Sequence, residues 1–264
     1  MPNHYNFNLS NLPNRTFKPR EDGVTMVMDK GISLRQAEDM LSASSDYIDF
    51  VKLGFGTSII SKNVKEKIKL YQKQNIKVYV GGTLFEAFIV RNKFDDYLKY
   101  ITDLGCDSAE VSDGSVSLNH DKKCEYIATL AKNFTVLSEV GSKEEGVIIH
   151  PARWIKMMQS ELDAGAFKVI AEARESGTVG IFHKNGSAHT LLINRIVNKV
   201  KLENIIWETP QKSQQVYFLK LFGCNVNVGN ISVDDVIPLE TLRIGLRGDT
   251  FFTYLPETMK EELN

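Results

Sequence analysis

Short runs rich in β-branched residues alternate along the chain with segments whose apolar residues recur at helical spacing. The runs begin about 20 to 36 residues apart, which leaves room for one helix and two short loops between consecutive strands. This alternation is typical of βα units around a parallel sheet. The eight runs predict eight strands: Val24–Asp29, Tyr47–Gly54, Lys77–Gly82, Ser108–Gly114, Thr135–Gly141, Lys168–Ala173, Asn204–Pro210 and Cys224–Asn230.

Helical periodicity predicts one helix after each strand. The eight segments are Leu34–Leu41, Lys62–Gln74, Phe94–Leu104, Lys122–Lys132, Trp154–Leu162, Ala188–Val200, Lys212–Phe222 and Val233–Leu242. Neither a low-complexity linker nor an internal repeat divides them. The pattern therefore predicts the α/β class and a single (β/α)8 TIM barrel over residues 16–264, preceded by a polar N-terminal arm over residues 1–15.

Composition narrows the functional classes. The 264 residues are 42% hydrophobic and 25% charged, which excludes a disordered chain. Lys and Arg (32) nearly cancel Asp and Glu (33), so we expect neither nucleic acid nor an anionic membrane as a partner. Three cysteines without a C-x-x-C pair, and the lack of a signal-like or membrane-length apolar segment, predict a cytoplasmic protein.

Charged and amide side chains gather at the carboxyl ends of the predicted strands, where active sites of such barrels lie. They are Asp29, Lys30, Lys52, Glu110, Asp113, Glu139, Glu172, Arg174, Glu208, Asn227 and Asn230. The alternative is structural, because layers of internal salt bridges can also close a barrel. We expect the cluster to form the site.

Carboxylates that face lysine and arginine suit a hard divalent cation bound through oxygen and an anionic substrate. Glu139 and Glu172 are the preferred metal ligands because they end adjacent strands. Asp29 is the next candidate, with Asp113 and Glu208 in reserve. The histidines show no ligand spacing, so zinc is not expected.

A candidate anion site follows the last strand. Gly229, Asn230 and Ser232 open the final helix, where barrels commonly bind phosphate through backbone N–H groups. Arg243 and Arg247 lie beyond and can add guanidinium contacts. A plain βα loop is the alternative. The turns at Gly54–Thr57 and Gly81–Leu84 are two more places where backbone can approach a ligand.

These segments together resemble the phosphosulfolactate synthase family over nearly the full length. The resemblance rests on MDKG (Met28–Gly31), YIDFVKLGFGTS (Tyr47–Ser58), GGTLFE (Gly81–Glu86), EVSDGS (Glu110–Ser115), SEVGSK (Ser138–Lys143), AGAFKVIAEARESG (Ala164–Gly177), QKSQQ (Gln211–Gln215), NVNVGNI (Asn225–Ile231) and LETLRIGLRGDTF (Leu239–Phe251). It implies a magnesium-dependent lyase on a TIM barrel, which joins sulfite to C3 of phosphoenolpyruvate and gives (2R)-phospho-3-sulfolactate. It also implies a place in sulfonate biosynthesis, such as that of coenzyme M.

The resemblance and this chemistry suggest a role for each candidate. Sulfite attacks C3, and a cation then delivers a proton to C2, for which a lysine of depressed pKa is suited. Lys143 or Lys52 fits that role, and the hypothesis assigns the proton to Lys143. Lys52 and Lys30 stabilise charge, Glu139, Glu172 and Asp29 hold Mg²⁺, and the substrate anions contact Arg174, Gly229, Asn230, Ser232, Arg243 and Arg247.

Two other functions stay open at this point. One is a barrel enzyme that adds a different nucleophile to phosphoenolpyruvate. The other is a non-catalytic, stress-associated homologue, since fold alone does not fix function. The sequence also leaves open both a monomer and a homo-oligomer.

Overall fold

The computed structural model describes residues 5–7, 9–141 and 149–261. Eight strands form one sheet in the order β3-β2-β1-β8-β7-β6-β5-β4, and every paired neighbour is parallel. The predicted single TIM barrel is therefore confirmed. The strands are β1 Thr25–Asp29, β2 Phe50–Leu53, β3 Lys77–Val80, β4 Ser108–Val111, β5 Thr135–Val140, β6 Lys168–Ala171, β7 Ile205–Glu208 and β8 Val228–Ser232.

Eleven α-helices lie in the described residues. They are α1 Leu34–Ser44, α2 Thr57–Ile60, α3 Val64–Gln72, α4 Gly82–Ile89, α5 Phe94–Leu104, α6 His120–Leu130, α7 Pro151–Asp163, α8 Thr190–Val197, α9 Lys212–Phe222, α10 Val236–Arg243 and α11 Glu257–Glu261. Eight of them overlap the predicted helices, and α2, α4 and α11 were not expected. None of the described helices has both the length and the apolar character needed to cross a membrane.

The α4 helix corrects the prediction of a turn at Gly81–Leu84. Gly81 keeps an extended conformation and serves as the N-cap, and the helix begins at Gly82. Two glycines at a helix start mask the helical pattern in the sequence, because glycine is a poor helix former. The buried side chains of Leu84 and Phe85 supply the packing that stabilises the helix.

Side-chain alternation along the strands explains where the polar residues lie. An apolar layer inside the barrel is formed by Val24, Met26, Phe50, Tyr79, Leu137, Ile170 and Ile206. Because residues two apart on a strand face the same side, the next inward positions towards the carboxyl ends are Met28, Lys52, Gly81, Glu139, Glu172 and Glu208. An apolar floor thus lies beneath a charged layer.

The seam between β3 and β4 is closed by side chains. In the described residues no backbone ladder joins these two strands. Asp107 Oδ1 accepts a hydrogen bond from the Val78 N–H at 2.8 Å, and Glu110 Oε1 accepts one from the Gly82 N–H at 2.6 Å. Buried backbone donors require such partners, so these two carboxylates complete the barrel.

The amino ends of the strands form the opposite face of the barrel, where a buried arginine connects the N-terminal segment to the last helix of the barrel. Arg15, the last residue of the predicted arm, is buried, and its Nε lies 2.8 Å from Glu240 Oε1 of α10. Its Nη2 also donates to the Gly23 carbonyl at 2.9 Å. These contacts attach the segment before β1 to the last helix of the barrel.

Candidate active site

A cavity of approximately 290 Å³ opens at the carboxyl ends of the strands. Most of its wall comes from strand ends and from the loops that follow them. The lining residues are Met28, Lys52, Gly54, Phe55, Gly81, Gly82, Thr83, Glu110, Ser115, Glu139, Glu172, Arg174, Glu175, Glu208 and Asn230. Among the described residues all eight βα units contribute to this wall, and every unit except that of β1 contributes a polar or charged side chain.

Three carboxylates meet on one side of this cavity. Glu139 of β5, Glu172 directly after β6 and Glu208 of β7 each offer an oxygen, and these oxygens lie within 4.8 Å of one another. All three side chains are buried. Burying carboxylates together is costly unless cations balance them, and grouped carboxylate oxygens are the donors that hard divalent cations prefer.

A glycine allows β5 and β6 to approach closely at this point. Gly141 has a φ of +143°, and a Cβ atom on it would lie 2.4 Å from the Glu172 Cβ. Any larger residue would push Glu172 away from Glu139. The sequence therefore places a residue without a side chain next to two of the three grouped carboxylates.

Lys52 lies among the carboxylates. Its Nζ is 3.0 Å from Glu110, 3.5 Å from Glu139 and 3.4 Å from Glu208. Burial alone would lower the pKa of Lys52, but the three carboxylates raise it well above the ordinary value. Lys52 therefore carries a fixed positive charge. The alternative of a depressed pKa at Lys52 is not what this environment produces.

The rim of the cavity carries further charges. Lys30 Nζ lies 2.5 Å from Glu175 Oε1, and both side chains are about half exposed. Arg174 is exposed beside them, with a φ of +52°, and its backbone N–H donates to Glu172 Oε1 at 2.5 Å. The backbone of Arg174 thus orients a buried carboxylate, while its guanidinium group is available at the cavity mouth.

Asn230 lies at a bulge between β8 and β1. The three residues of β1 from Thr25 to Val27 lie opposite the four residues of β8 from Val228 to Ile231, and Asn230 has a φ of +56°. Its side chain lines the cavity and is 7% exposed. No described residue donates a hydrogen bond to its Oδ1. Left-handed backbone at a non-glycine residue is often found at functional sites.

The other two residues of the predicted β8 loop do not line the cavity. Gly229 is packed against the apolar floor, because a Cβ there would lie 2.6 Å from Met26 Cε and 3.0 Å from Ile206 Cγ2. Ser232 ends β8 half-buried. The described cavity therefore receives a side chain from Asn230 in this loop.

Asp29, which the sequence predicts as a metal ligand, lies apart from the group of three carboxylates. Its Oδ1 accepts from the Gly31 and Ile32 N–H groups at 2.8 and 3.0 Å. Its Oδ2 accepts from the Tyr71 hydroxyl at 2.9 Å and lies 2.6 Å from Lys67 Nζ. Asp29 faces the helices outside the barrel, where it serves as a structural acceptor.

Arg243, which the sequence predicts as an anion ligand, does not line the cavity. It is fully buried at the amino ends of the strands, where Nη1 donates to the carbonyls of Cys224 at 2.6 Å and Val226 at 2.8 Å. Its Nη2 donates to the Val24 carbonyl at 3.2 Å. An eight-residue helix spans about 12 Å, and α10 carries Arg243 from one end of the barrel to the other.

The remaining predicted residues are placed as follows. Arg247 follows α10, half-buried and outside the cavity wall, with Nη1 3.5 Å from the Pro238 carbonyl. Asp113, held in reserve as a ligand, is bound instead to Lys123. Lys143 lies outside the described residues.

Two carboxylates of the cavity, those of Glu110 and Glu208, were not assigned a leading role from the sequence. Glu110 was noted as a strand-end carboxylate, yet its double contact with Lys52 and the β3–β4 seam was not expected. Glu208 was only a reserve ligand. Glu208 lies two residues beyond Ile206 of the barrel floor, but the sequence carries no signal for this inward direction, because the strand is apolar on both faces.

Comparison with known proteins gives a consistent result. The family model described as (2R)-phospho-3-sulfolactate synthase (ComA) matches residues 13–249. A phosphosulfolactate synthase of Bacillus subtilis is 41% identical over 244 residues, covering 91% of this chain and 97% of that relative. One from Methanocaldococcus jannaschii is 46% identical over 237 residues, covering 87% and 94%.

Among solved structures, 3-hexulose-6-phosphate synthase from Salmonella typhimurium matches with a TM-score of 0.53 and 14% identity. The match covers 85% of this chain and 100% of that chain. At such low identity the similarity extends to the barrel fold alone.

Proposed function

The chain belongs to the phosphosulfolactate synthase family, and from this membership we propose that it joins sulfite to C3 of phosphoenolpyruvate in a Mg²⁺-dependent reaction. The observation that carries the proposal is the meeting of Glu139, Glu172 and Glu208 beside Lys52 in one cavity. Such a site can hold a hard cation and an anionic substrate together.

The three carboxylates fit Mg²⁺ by donor chemistry. They are oxygen ligands on adjacent β5, β6 and β7, they are buried, and they lie close enough to share one ion. The group contains neither histidine nor cysteine, the ligands that zinc prefers. When bound, Mg²⁺ supplies positive charge that favours the build-up of negative charge on the substrate carboxylate.

The reaction has two bond-forming events. The sulfur lone pair of sulfite forms the C–S bond at C3, and the C2–C3 π electrons move towards C2 and the carboxylate group. A proton then forms the new C–H bond at C2. The product keeps the phosphate ester, so no group leaves and no oxidant or reductant is required.

Lys52 is suited to the first event. Its ammonium group is held by three carboxylates and keeps its charge throughout the neutral pH range. A fixed cation stabilises charge that develops during the reaction without reorganising. Glu110 positions Lys52 and at the same time closes the β3–β4 seam.

The substrate anions are assigned to the groups that reach the cavity. Arg174 and Lys30 at the rim attract phosphate or sulfite, and Arg174 offers a fork of donors that matches such anions. Asn230 offers its side-chain amide from within the cavity. These assignments replace Arg243 and Arg247, which do not reach it.

Lys143 is proposed as the donor of the proton to C2. The support is the SEVGSK segment, Ser138–Lys143, by which the chain resembles the family. The segment contains Glu139, and Lys143 follows that carboxylate by four positions in the sequence. Each of the three cysteines carries a free thiol, which supports the proposal that the enzyme works in a reducing cytoplasm.

The test is to incubate the purified protein with phosphoenolpyruvate, sulfite and Mg²⁺ in deuterated water. Phosphorus NMR and mass spectrometry are expected to show a phosphorylated sulfonate with one deuterium at C2. Omission of sulfite or chelation of the metal should each abolish it. Product after complete chelation would contradict the role of Mg²⁺, and no product under any condition would contradict the proposed reaction.

A further inference from the structure

Behind the grouped carboxylates, Lys123 of α6 holds a fully buried ammonium group. Its Nζ lies 2.8 Å from Asp113 Oδ1 and 2.9 Å from Glu161 Oε1, and it donates to the Glu139 carbonyl at 2.6 Å. An ammonium group has three N–H donors. Two of these donors are hydrogen-bonded to Asp113 and to the Glu139 carbonyl, and the Glu161 carboxylate pairs with the charge.

The acceptors come from different parts of the barrel. Asp113 follows β4, Glu161 belongs to α7, and Glu139 belongs to β5. Ser138 adds a second attachment of β5, because its hydroxyl donates to Glu161 Oε2 at 2.6 Å. Two consecutive residues of β5 are thus bound from the outer face, at the point where the Glu139 side chain enters the cavity.

Stability alone is a weak explanation for this network. A buried ion pair pays a large desolvation cost, and apolar residues of similar volume often replace such pairs without loss of stability. What the network does provide is a fixed position for the Glu139 carbonyl. Because the carbonyl belongs to the same residue as the cavity carboxylate, fixing it limits the directions that this carboxylate can take.

We propose that Lys123 is a positioning residue that, together with Glu161, orients the Glu139 carboxylate for binding the divalent cation. The proposal rests on the metal site of the proposed function. Partners that orient metal ligands commonly change metal affinity by about 10- to 100-fold when they are removed. Lys123 itself contacts neither the substrate nor the metal, and it acts through Glu139.

The chain offers a matched control in Lys67 of α3. Lys67 is also buried, its Nζ lies 2.6 Å from Asp29 Oδ2, and it donates to the Ile32 carbonyl at 2.8 Å. It thus pairs with one carboxylate and one backbone carbonyl, where Lys123 pairs with two carboxylates and one backbone carbonyl. Neither of its two partners lines the cavity.

The experiment compares Lys123→Met with Lys67→Met. Mg²⁺ alone is titrated into metal-free protein by calorimetry, and thermal unfolding of the same samples is recorded. Both variants should unfold at a lower temperature than the parent protein. We expect Lys123→Met to weaken Mg²⁺ binding about 10- to 100-fold and Lys67→Met to change it less than about threefold, as for a distant site.

Steady-state kinetics gives a second readout. In Lys123→Met the apparent KM for Mg²⁺ should rise, and excess Mg²⁺ should restore most of kcat. If circular dichroism shows that Lys123→Met does not fold, Glu161→Gln takes its place. That variant keeps the length of the side chain and should still weaken Mg²⁺ binding by about threefold or more.

The outcomes separate the two proposals. Parent protein that binds no Mg²⁺ would overturn the metal site and, with it, the role of Lys123. Parent protein that binds Mg²⁺, with equal affinity in the Lys123 and Lys67 variants, would leave the metal site intact and overturn the positioning role. Glu161→Gln with parental affinity would overturn it in the same way.

Discussion

Replacement of Asp29 by Asn tests whether this residue is structural, as its contacts indicate, or a metal ligand. The parent carboxylate accepts from the Gly31 and Ile32 N–H groups through Oδ1 and contacts Tyr71 and Lys67 through Oδ2. In Asp29→Asn the amide oxygen can retain the two backbone bonds. The amide nitrogen, however, turns a donor towards the Lys67 ammonium and leaves that buried charge unpaired.

The cost follows from that unpaired charge. Removing one partner of a buried ion pair destabilises a protein by about 3–5 kcal/mol. A chain of 264 residues has an unfolding entropy near 0.55 kcal/mol/K, from about 2.1 cal/mol/K per residue. We therefore expect Asp29→Asn to lower Tm by about 5–9 °C. Tyr71→Phe removes a single hydrogen bond to the same carboxylate, worth about 1.5–3 kcal/mol, and should lower Tm by about 3–5 °C.

The assay is thermal unfolding of metal-free protein, so that ligand binding does not contribute to Tm, followed by Mg²⁺ titration of the folded variants. Both variants should bind Mg²⁺ with parental affinity. Parental Tm together with loss of Mg²⁺ binding in Asp29→Asn would refute the structural role and restore Asp29 as a ligand.

Three further predictions concern the cavity at the barrel mouth and the loop that ends at His189, before α8. Glu208→Gln should lose Mg²⁺ binding and reduce kcat by about 10²-fold or more, measured by calorimetry and product formation; parental turnover would remove it from the site. Arg174→Ala should raise KM for phosphoenolpyruvate about tenfold, because one charge-assisted hydrogen bond is lost. Arg247→Ala, by contrast, should leave KM within about twofold of the parent value. Equal effects of the two variants would contradict the placement of these arginines. Burial lowers the pKa of His189, and the nearby His183 lowers it further. As the pH falls below the ordinary histidine pKa, the unfolded chain therefore takes up a proton before the folded protein does, and the stability of the fold declines. His189→Asn should reduce the loss of urea stability between about pH 7.5 and about pH 5.5, and an unchanged loss would contradict this assignment.

The fold was predictable because eight strands and eight helices alternate with clear periodicity. Which side chains of each strand face into the barrel was not predictable. Strands of a parallel barrel are apolar on both faces, so VTMVMD does not reveal that Met28 faces inward and Asp29 outward. Asp29 and Glu139 therefore look alike in sequence. Only contacts between distant segments, such as that of Asp29 with Tyr71, separate their roles.

The length of the helices was a second limit on predicting the site, because a helix separates residues that are close in sequence. Arg243 follows β8 closely in sequence, and the prediction kept it near the cavity. The α10 helix instead carries it to the far end of the barrel. There its guanidinium group donates hydrogen bonds to backbone carbonyls of the segments that lead into β1 and β8. Lys123 and Glu161 were missed for the related reason that helix residues reach a strand only through the folded packing.

The central claim is that Glu139, Glu172 and Glu208 bind one divalent cation at the barrel mouth. Its most direct test is a crystal structure of the protein with Mn²⁺, which shares the oxygen preference of Mg²⁺ and can be located by anomalous scattering. We expect a single strong peak bounded by these three carboxylates. A peak at Asp29, or no peak in the cavity under conditions where the protein binds Mn²⁺ in solution, would contradict it.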